Sequence, residues 1–152
     1  MGWNLEVVAV RTGELDFAIP EIFFPTGTTM DFEDATSVAR GSDLCATKVG
    51  DWVIVIDVSC RLSGNYGYLV EASASTDLHL VRIFDEPIIL HYRDGEQMVA
   101  ARGLAECLEI APCDDGDYED GETCAMKHFR ATTGVTFGGE DMWGAKFTPY
   151  SL

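Results

Sequence analysis

The chain has 152 residues, with twenty-six acidic and ten basic side chains giving a formal charge of −16 at pH 7, on a composition that is 47% hydrophobic and 11% aromatic. That apolar content excludes a disordered polyanion, whose few apolar groups could not offset the entropy of ordering the chain, and the length suits one domain with one core. The acid disfavours contact with phosphate backbones or anionic lipid, and it points to basic proteins or divalent cations as partners, with a plain solubility surface as the bland alternative.

The opening Met1-Gly2-Trp3-Asn4-Leu5-Glu6 lacks the basic and apolar segments of a secretion signal, and Glu6 stands where a myristoylation motif wants Ser or Thr. Trp3 to Val10 is valine-rich and begins with apolar-polar alternation, which predicts a first strand. Thr12 to Thr29, with two prolines and two glycines, reads as a long connection that packs Phe23 and Phe24 onto the core. Asp31 to Gly41 has acids early, Arg40 late and Gly41 behind it, the charge order and glycine cap of a short helix.

Leu44 to Val49 reads as a strand, and Gly50-Asp51 turns the chain into Trp52-Val53-Ile54-Val55-Ile56-Asp57-Val58. A continuous β-branched run of this kind predicts a central strand buried on both faces. Its unbroken apolar part, Trp52 to Ile56, is far short of the roughly 20 residues of a membrane span. The expected location is therefore cytoplasmic, without membrane contact. Ser63-Gly64-Asn65 precedes a second helix over Tyr66 to Ala74, and strands follow at Leu78 to Phe84 and Ile88 to Arg93. Asp94-Gly95 then joins the second of these to Glu96–Ala101. Asp-Gly between apolar runs is a hairpin signal, because both central positions of a type I′ turn need positive φ.

Gly103 to Leu108 suits helix or strand, Thr123 is placed to cap a helix from Cys124 to Ala131, and the glycine- and aromatic-rich tail from Gly134 to Leu152 is expected to pack back on the sheet. The predicted architecture is α+β: a single domain over residues 1–152, mainly antiparallel sheet with two or three short helices.

Five cysteines, Cys45, Cys60, Cys107, Cys113 and Cys124, form an odd set without paired C-x-x-C spacing, which argues against a zinc ribbon or a closed disulfide framework. The acidic loop from Pro112 to Glu122 invites a calcium reading, but an EF-hand register starting at Asp115 would need glycine at Asp120 and glutamate at Met126. Asp57 ends a strand as a magnesium-holding aspartate does in P-loop enzymes, yet the chain has no phosphate-cradling G-x-x-x-x-G-K-[ST], so a strand-ending role is expected. His79, His91 and His128 show no metal-ligand spacing. A Cys60–His91 nucleophile pair has no local signature behind it, and Ser59 lacks the G-x-S-x-G elbow. Most aromatics are expected in the core. Trp143, in the loop Gly138-Gly139-Glu140-Asp141-Met142-Trp143-Gly144, is the interface candidate among them.

Trp52-Val53-Ile54-Val55-Ile56-Asp57, the helix after it and the paired strands ending at Tyr92-Arg93-Asp94-Gly95 resemble, in layout, small bacterial immunity-type proteins encoded beside polymorphic toxins. The resemblance implies an acidic cytoplasmic α+β domain without catalytic motifs. It also implies stoichiometric inhibition, the acidic face docking on a toxin whose active site is basic. No individual functional residue carries over. From charge clustering, the expected partner-binding residues are Asp114, Asp115, Asp117, Tyr118, Glu119, Asp120 and Glu122, together with Trp143. No catalytic residue, metal ligand, cofactor or direct nucleic-acid contact is expected. The competing readings are a nucleic-acid mimic, a small enzyme or ligand-binding domain with an unfamiliar pocket, and a phage-type structural subunit joined through its glycine-rich tail. Partner identity, oligomeric state and strand order stay open. The acid is concentrated in two stretches without a basic residue, Glu14 to Asp34 and Asp114 to Glu122, which hold twelve of the twenty-six acidic residues.

Overall fold

A computed structural model describes residues 3–38, 43–110 and 120–152. In chain order the elements are β1 (Leu5–Val10), β2 (Phe24–Pro25), α1 (Phe32–Ala35), β3 (Leu44–Val49), β4 (Trp52–Asp57), α2 (Tyr66–Ala72), β5 (Asp77–Ile83) and β6 (Ile88–Arg93). They continue with β7 (Glu96–Arg102), α3 (Leu104–Ile110), α4 (Gly121–Thr133), α5 (Glu140–Trp143) and β8 (Thr148–Ser151). The eight strands form one sheet in the order β2-β8-β3-β4-β1-β5-β6-β7, with every neighbouring pair antiparallel. The fold is thus α+β, as the sequence predicts.

The apolar strands are continuous because both faces of the sheet are covered. Val7 and Ala9 join Ile54, Ile56, Val81 and Ile83 on one face, packed by Phe32 of α1, Cys107 of α3 and Cys124, Ala125 and Phe129 of α4. Val8 and Val10 join Val53, Val55, Leu78 and Leu80 on the other, packed by Ala18, Ile19, Leu62, Tyr68 and Leu69. These are called the α4 face and the α2 face below. Trp52–Asp57 lies in the middle of the sheet, with Val53 through Ile56 fully buried. Each such aliphatic side chain contributes roughly 1.5–3 kcal/mol on burial.

At the Asp94-Gly95 hairpin both residues have positive φ, 52° and 79°, as a type I′ turn requires. Four details depart from the sequence reading. The first helix is a single turn, capped by Asp31, whose side chain accepts from the Asp34 amide; Arg40 and Gly41 lie outside the described residues. The helix expected from Cys124 starts earlier, at Gly121, because Asp120 rather than Thr123 supplies the cap. Gly121 is required there, since a Cβ would run into the backbone carbonyls of Phe84 and Asp85. Finally, the described residues hold five α-helices, of which three (α2, α3 and α4) run to seven residues or more, and the tail packs back as expected but ends in β8, a strand that the sequence did not announce because Pro149 interrupts it.

Candidate functional site

Three groupings of polar and aromatic side chains emerge from this framework. The first sits where β1, β4 and β5 end on the α2 face. Glu6 and Asp57 are opposite each other in register and both are fully buried. Asp57 accepts from the amides of Ser59 (2.9 Å), Arg61 (2.7 Å) and Leu62 (3.1 Å), so it closes the turn after β4. Glu6 accepts from the Ser63 amide at 2.8 Å and from Arg82 Nε and Nη2 at 3.0 and 2.8 Å. Both carboxylates are therefore committed to holding residues 59–63, a structural use. Cys60 rides on this turn with φ of 53°, its thiol directed at Asn4 Oδ1. Burial, reinforced by the Glu6 charge, pushes the Cys60 thiol up to about 11, which keeps it protonated and weakly nucleophilic at neutral pH.

The second grouping lies on the α4 face at the opposite end of β5. The β5–β6 hairpin turns at residues 84–87 and places His79 directly across from His91. Their rings stack with centroids 4.2 Å apart at 14°, and Trp52 meets His79 edge-on at 5.6 Å. Asp77 Oδ1 is 2.9 Å from His91 Nε2 and accepts from Arg93 Nε at 2.7 Å. Desolvation would raise the Asp77 carboxyl, but its bonds to His91 and Arg93 hold it below its usual value. α4 lies across β5, and His128 on it is pulled down by burial and by His91. All three histidines thus converge. His79 Nδ1 is buried without a hydrogen-bond partner, and burial, then His91, pushes that ring down to about 4. His79 is a neutral, stacked ring at physiological pH. Cys60 and His91 are not brought together, as they lie at opposite ends and on opposite faces of the sheet. Among the described residues no group of three or more His, Cys, Asp or Glu is arranged to hold a metal ion.

The third grouping is a groove on the α2 face, between the segment of residues 12–25 and α2. Three adjoining hollows of about 460, 360 and 270 Å³ run from Thr76 past Phe17 and Pro20 to Pro25. The sequence reading of this segment as inward-packing needs correction. Phe23 packs on the core, but Phe24 is 65% exposed, as is Phe17, and Ile22 is 62% exposed. The walls are pinned, with Tyr68 Oη donating to the Ala18 carbonyl at 2.6 Å and Tyr150 Oη donating to Asp16 Oδ1 at 2.7 Å. Glu14, Asp16, Glu21 and Glu71 stand along the groove, and Arg11 at the Thr76 end is the one base among its described lining.

Of the residues singled out from sequence, Asp114, Asp115, Asp117, Tyr118 and Glu119 lie outside the described residues. Asp120 caps α4: the Thr123 amide donates to its Oδ1 at 2.7 Å and holds that carboxyl below the usual carboxylate range. Glu122 Oε2 accepts from the Trp3 amide at 3.1 Å. Trp143 is 56% exposed and packs on buried Phe32, centroids 4.9 Å apart. Because Trp3 also meets Phe32, at 6.1 Å, Glu122 and Trp143 flank one aromatic cluster on the α4 side. The groove went unread in the sequence, although the base-free run Glu14 to Asp34 interleaved with Phe17, Ile22 and Phe24 was a usable signal.

No family model matches the chain, and no curated protein or solved structure does either. Among the described residues no helix is long and apolar enough to cross a membrane.

Proposed function

We propose that the protein is an acidic binding protein that neutralises a basic protein partner by electrostatic docking, in the manner of immunity-type inhibitors. One observation carries this reading: Glu14, Asp16, Glu21, Asp31, Glu33 and Asp34 occupy a stretch with no basic residue, and every one of them is exposed, beside exposed aromatics. Several of the bases elsewhere are engaged internally, Arg82 with Glu6, Arg93 with Asp77 and Arg61 with Asp43. Inhibition would follow from occlusion: complementary charge steers the partner in, a few apolar anchors hold it, and no bond chemistry is asked of this chain.

The test is capture from native lysate at low salt, read by mass spectrometry, with wild type beside the triple variant Glu14→Gln, Glu21→Gln, Glu33→Gln. A basic protein held by wild type, released by salt and lost from the variant supports the reading. Capture that is identical for both proteins, or is restricted to neutral or acidic proteins, overturns it. A parallel series neutralising Asp114 to Glu122 decides whether that acidic stretch takes part, since unchanged binding across the series removes it.

A further inference from the structure

We infer that the groove on the α2 face is the docking site for an arginine-bearing protein segment that also carries apolar side chains. The inference rests on the basic-partner reading above and gives it a place and a chemistry. Phe17 stands between the two larger hollows and lines both, yet it is 65% exposed; with Ile22 and Phe24 on the same segment, it leaves apolar surface that no described element of this chain covers. Phe17 lines two of the hollows and Phe24 the third, so exposed apolar side chains recur along the groove, and apolar surface rimmed by polar groups marks an interaction site. The floor is itself fixed, since Tyr68 ties α2 to the Ala18 carbonyl and Tyr150 holds Asp16 from the other side. A partner therefore meets preformed walls and loses little to their ordering.

The charge selects the occupant. Glu14, Asp16, Glu21 and Glu71 line the central hollow with no base among them. A second copy of this chain would bring like charge to the groove, and a nucleic acid would bring phosphates, so both are repelled. The central feature is an exposed phenyl ring beside several carboxylates, and the side chain that satisfies both is a guanidinium. It stacks flat on an aromatic face and bonds carboxylates through two parallel N–H donors, whereas an ammonium offers a strongly hydrated point charge. Two of the hollows are at the small end of ligand pockets, which run about 300–1,000 Å³, and the third is smaller still. Their continuity suits a peptide chain laid along them with successive side chains entering in turn.

The experiment is an amide NMR titration of the whole chain at low ionic strength with three probes: a twelve-residue peptide alternating arginine with leucine and phenylalanine, its lysine counterpart, and spermine. Phe17→Ser is compared with wild type, because an exposed side chain is replaceable without unfolding and the amide spectrum itself reports the fold. The expected result is a footprint on residues 14–25 and 68–76, binding of the arginine peptide several-fold tighter than the lysine peptide, and a loss of about tenfold or more in Phe17→Ser, the size expected of an interface anchor. Cationic peptides that bind but footprint around Asp120, Glu122 and Trp143, or that ignore Phe17→Ser, overturn the groove while leaving the basic-partner reading standing. Spermine binding as tightly as the arginine peptide, insensitive to Phe17→Ser, overturns the groove in favour of a general polycation surface. No binding by any probe removes both the groove and the reading on which it rests.

Discussion

Acidification should weaken the fold through His79, and the size of the effect follows from its surroundings. The ring is buried, stacked on His91, edge-on to Trp52, and has Nδ1 unpartnered; Asp77, Arg93 and His128 are the other charged or titratable groups acting on it. Its folded pKa of about 4 lies below the ordinary 6.5, so between those values the unfolded chain binds more protons and stability rises with pH. The contribution is fully present above about pH 6.5 and is lost as pH falls toward 4, with a limit of about 3 kcal/mol and about 2 kcal/mol of it gone by roughly pH 4.5. Protonating surface carboxylates relieves self-repulsion over the same range and acts in the opposite direction. The assay therefore compares wild type with His79→Phe, which keeps an aromatic in the stack and removes the titration. Urea unfolding followed by tryptophan fluorescence at about pH 7 and about pH 4.5 should show wild type losing about 2 kcal/mol more than the variant. Parallel pH profiles, within about 0.5 kcal/mol, would refute the assignment of a buried, neutral His79.

Neutralising one half of the Glu6–Arg82 pair, as in Glu6→Gln, should cost about 3 kcal/mol or more in urea unfolding, because Arg82 loses its counter-charge and one of the two acceptor oxygens becomes an NH2 donor facing Arg82 or the Ser63 amide in a buried site. Gly121→Ala should destabilise by about 2 kcal/mol or more, since the backbone at Phe84 and Asp85 has no room for a methyl; a neutral result in thermal unfolding would show that α4 does not pack as closely there. Tyr68→Phe should lower stability by about 1–2 kcal/mol through the stranded Ala18 carbonyl, and should raise amide exchange across residues 15–20. Cys60 should react with iodoacetamide about a hundredfold more slowly than an unperturbed thiol near neutral pH, followed by mass spectrometry of the labelled peptide.

What the sequence made legible was whatever repeats locally. The valines of β1, the β-branched run of β4 and the Asp-Gly turn between β6 and β7 carry period and turn chemistry within a few residues, and each forms where it was expected. β8 does not announce itself, because Thr148-Pro149-Tyr150-Ser151 is short and holds a proline, and only its pairing with β3 and β2 makes it a strand. The histidine cluster was illegible for a different reason: His79 and His91 meet through hairpin register, and His128 joins them through the packing of α4 on β5, a contact with no local trace. The groove is illegible because aromatics in a proline-rich connection read as core on composition alone. Phe23 obeys that rule, while Phe17 and Phe24 break it beside the acids that make them informative.

The central claim is that charge brings the partner in, and the association rate tests it most directly. Stopped-flow mixing of the protein with its captured basic partner, across ionic strengths from about 0.01 M to about 1 M, spans screening lengths from roughly 30 Å down to roughly 3 Å. Docking steered by the exposed acids predicts a rate constant that falls by about 10–10³-fold over that range, and a shallower fall for the variant lacking the Glu14, Glu21 and Glu33 charges. A rate constant that stays flat in salt, or falls equally for both proteins, would contradict it.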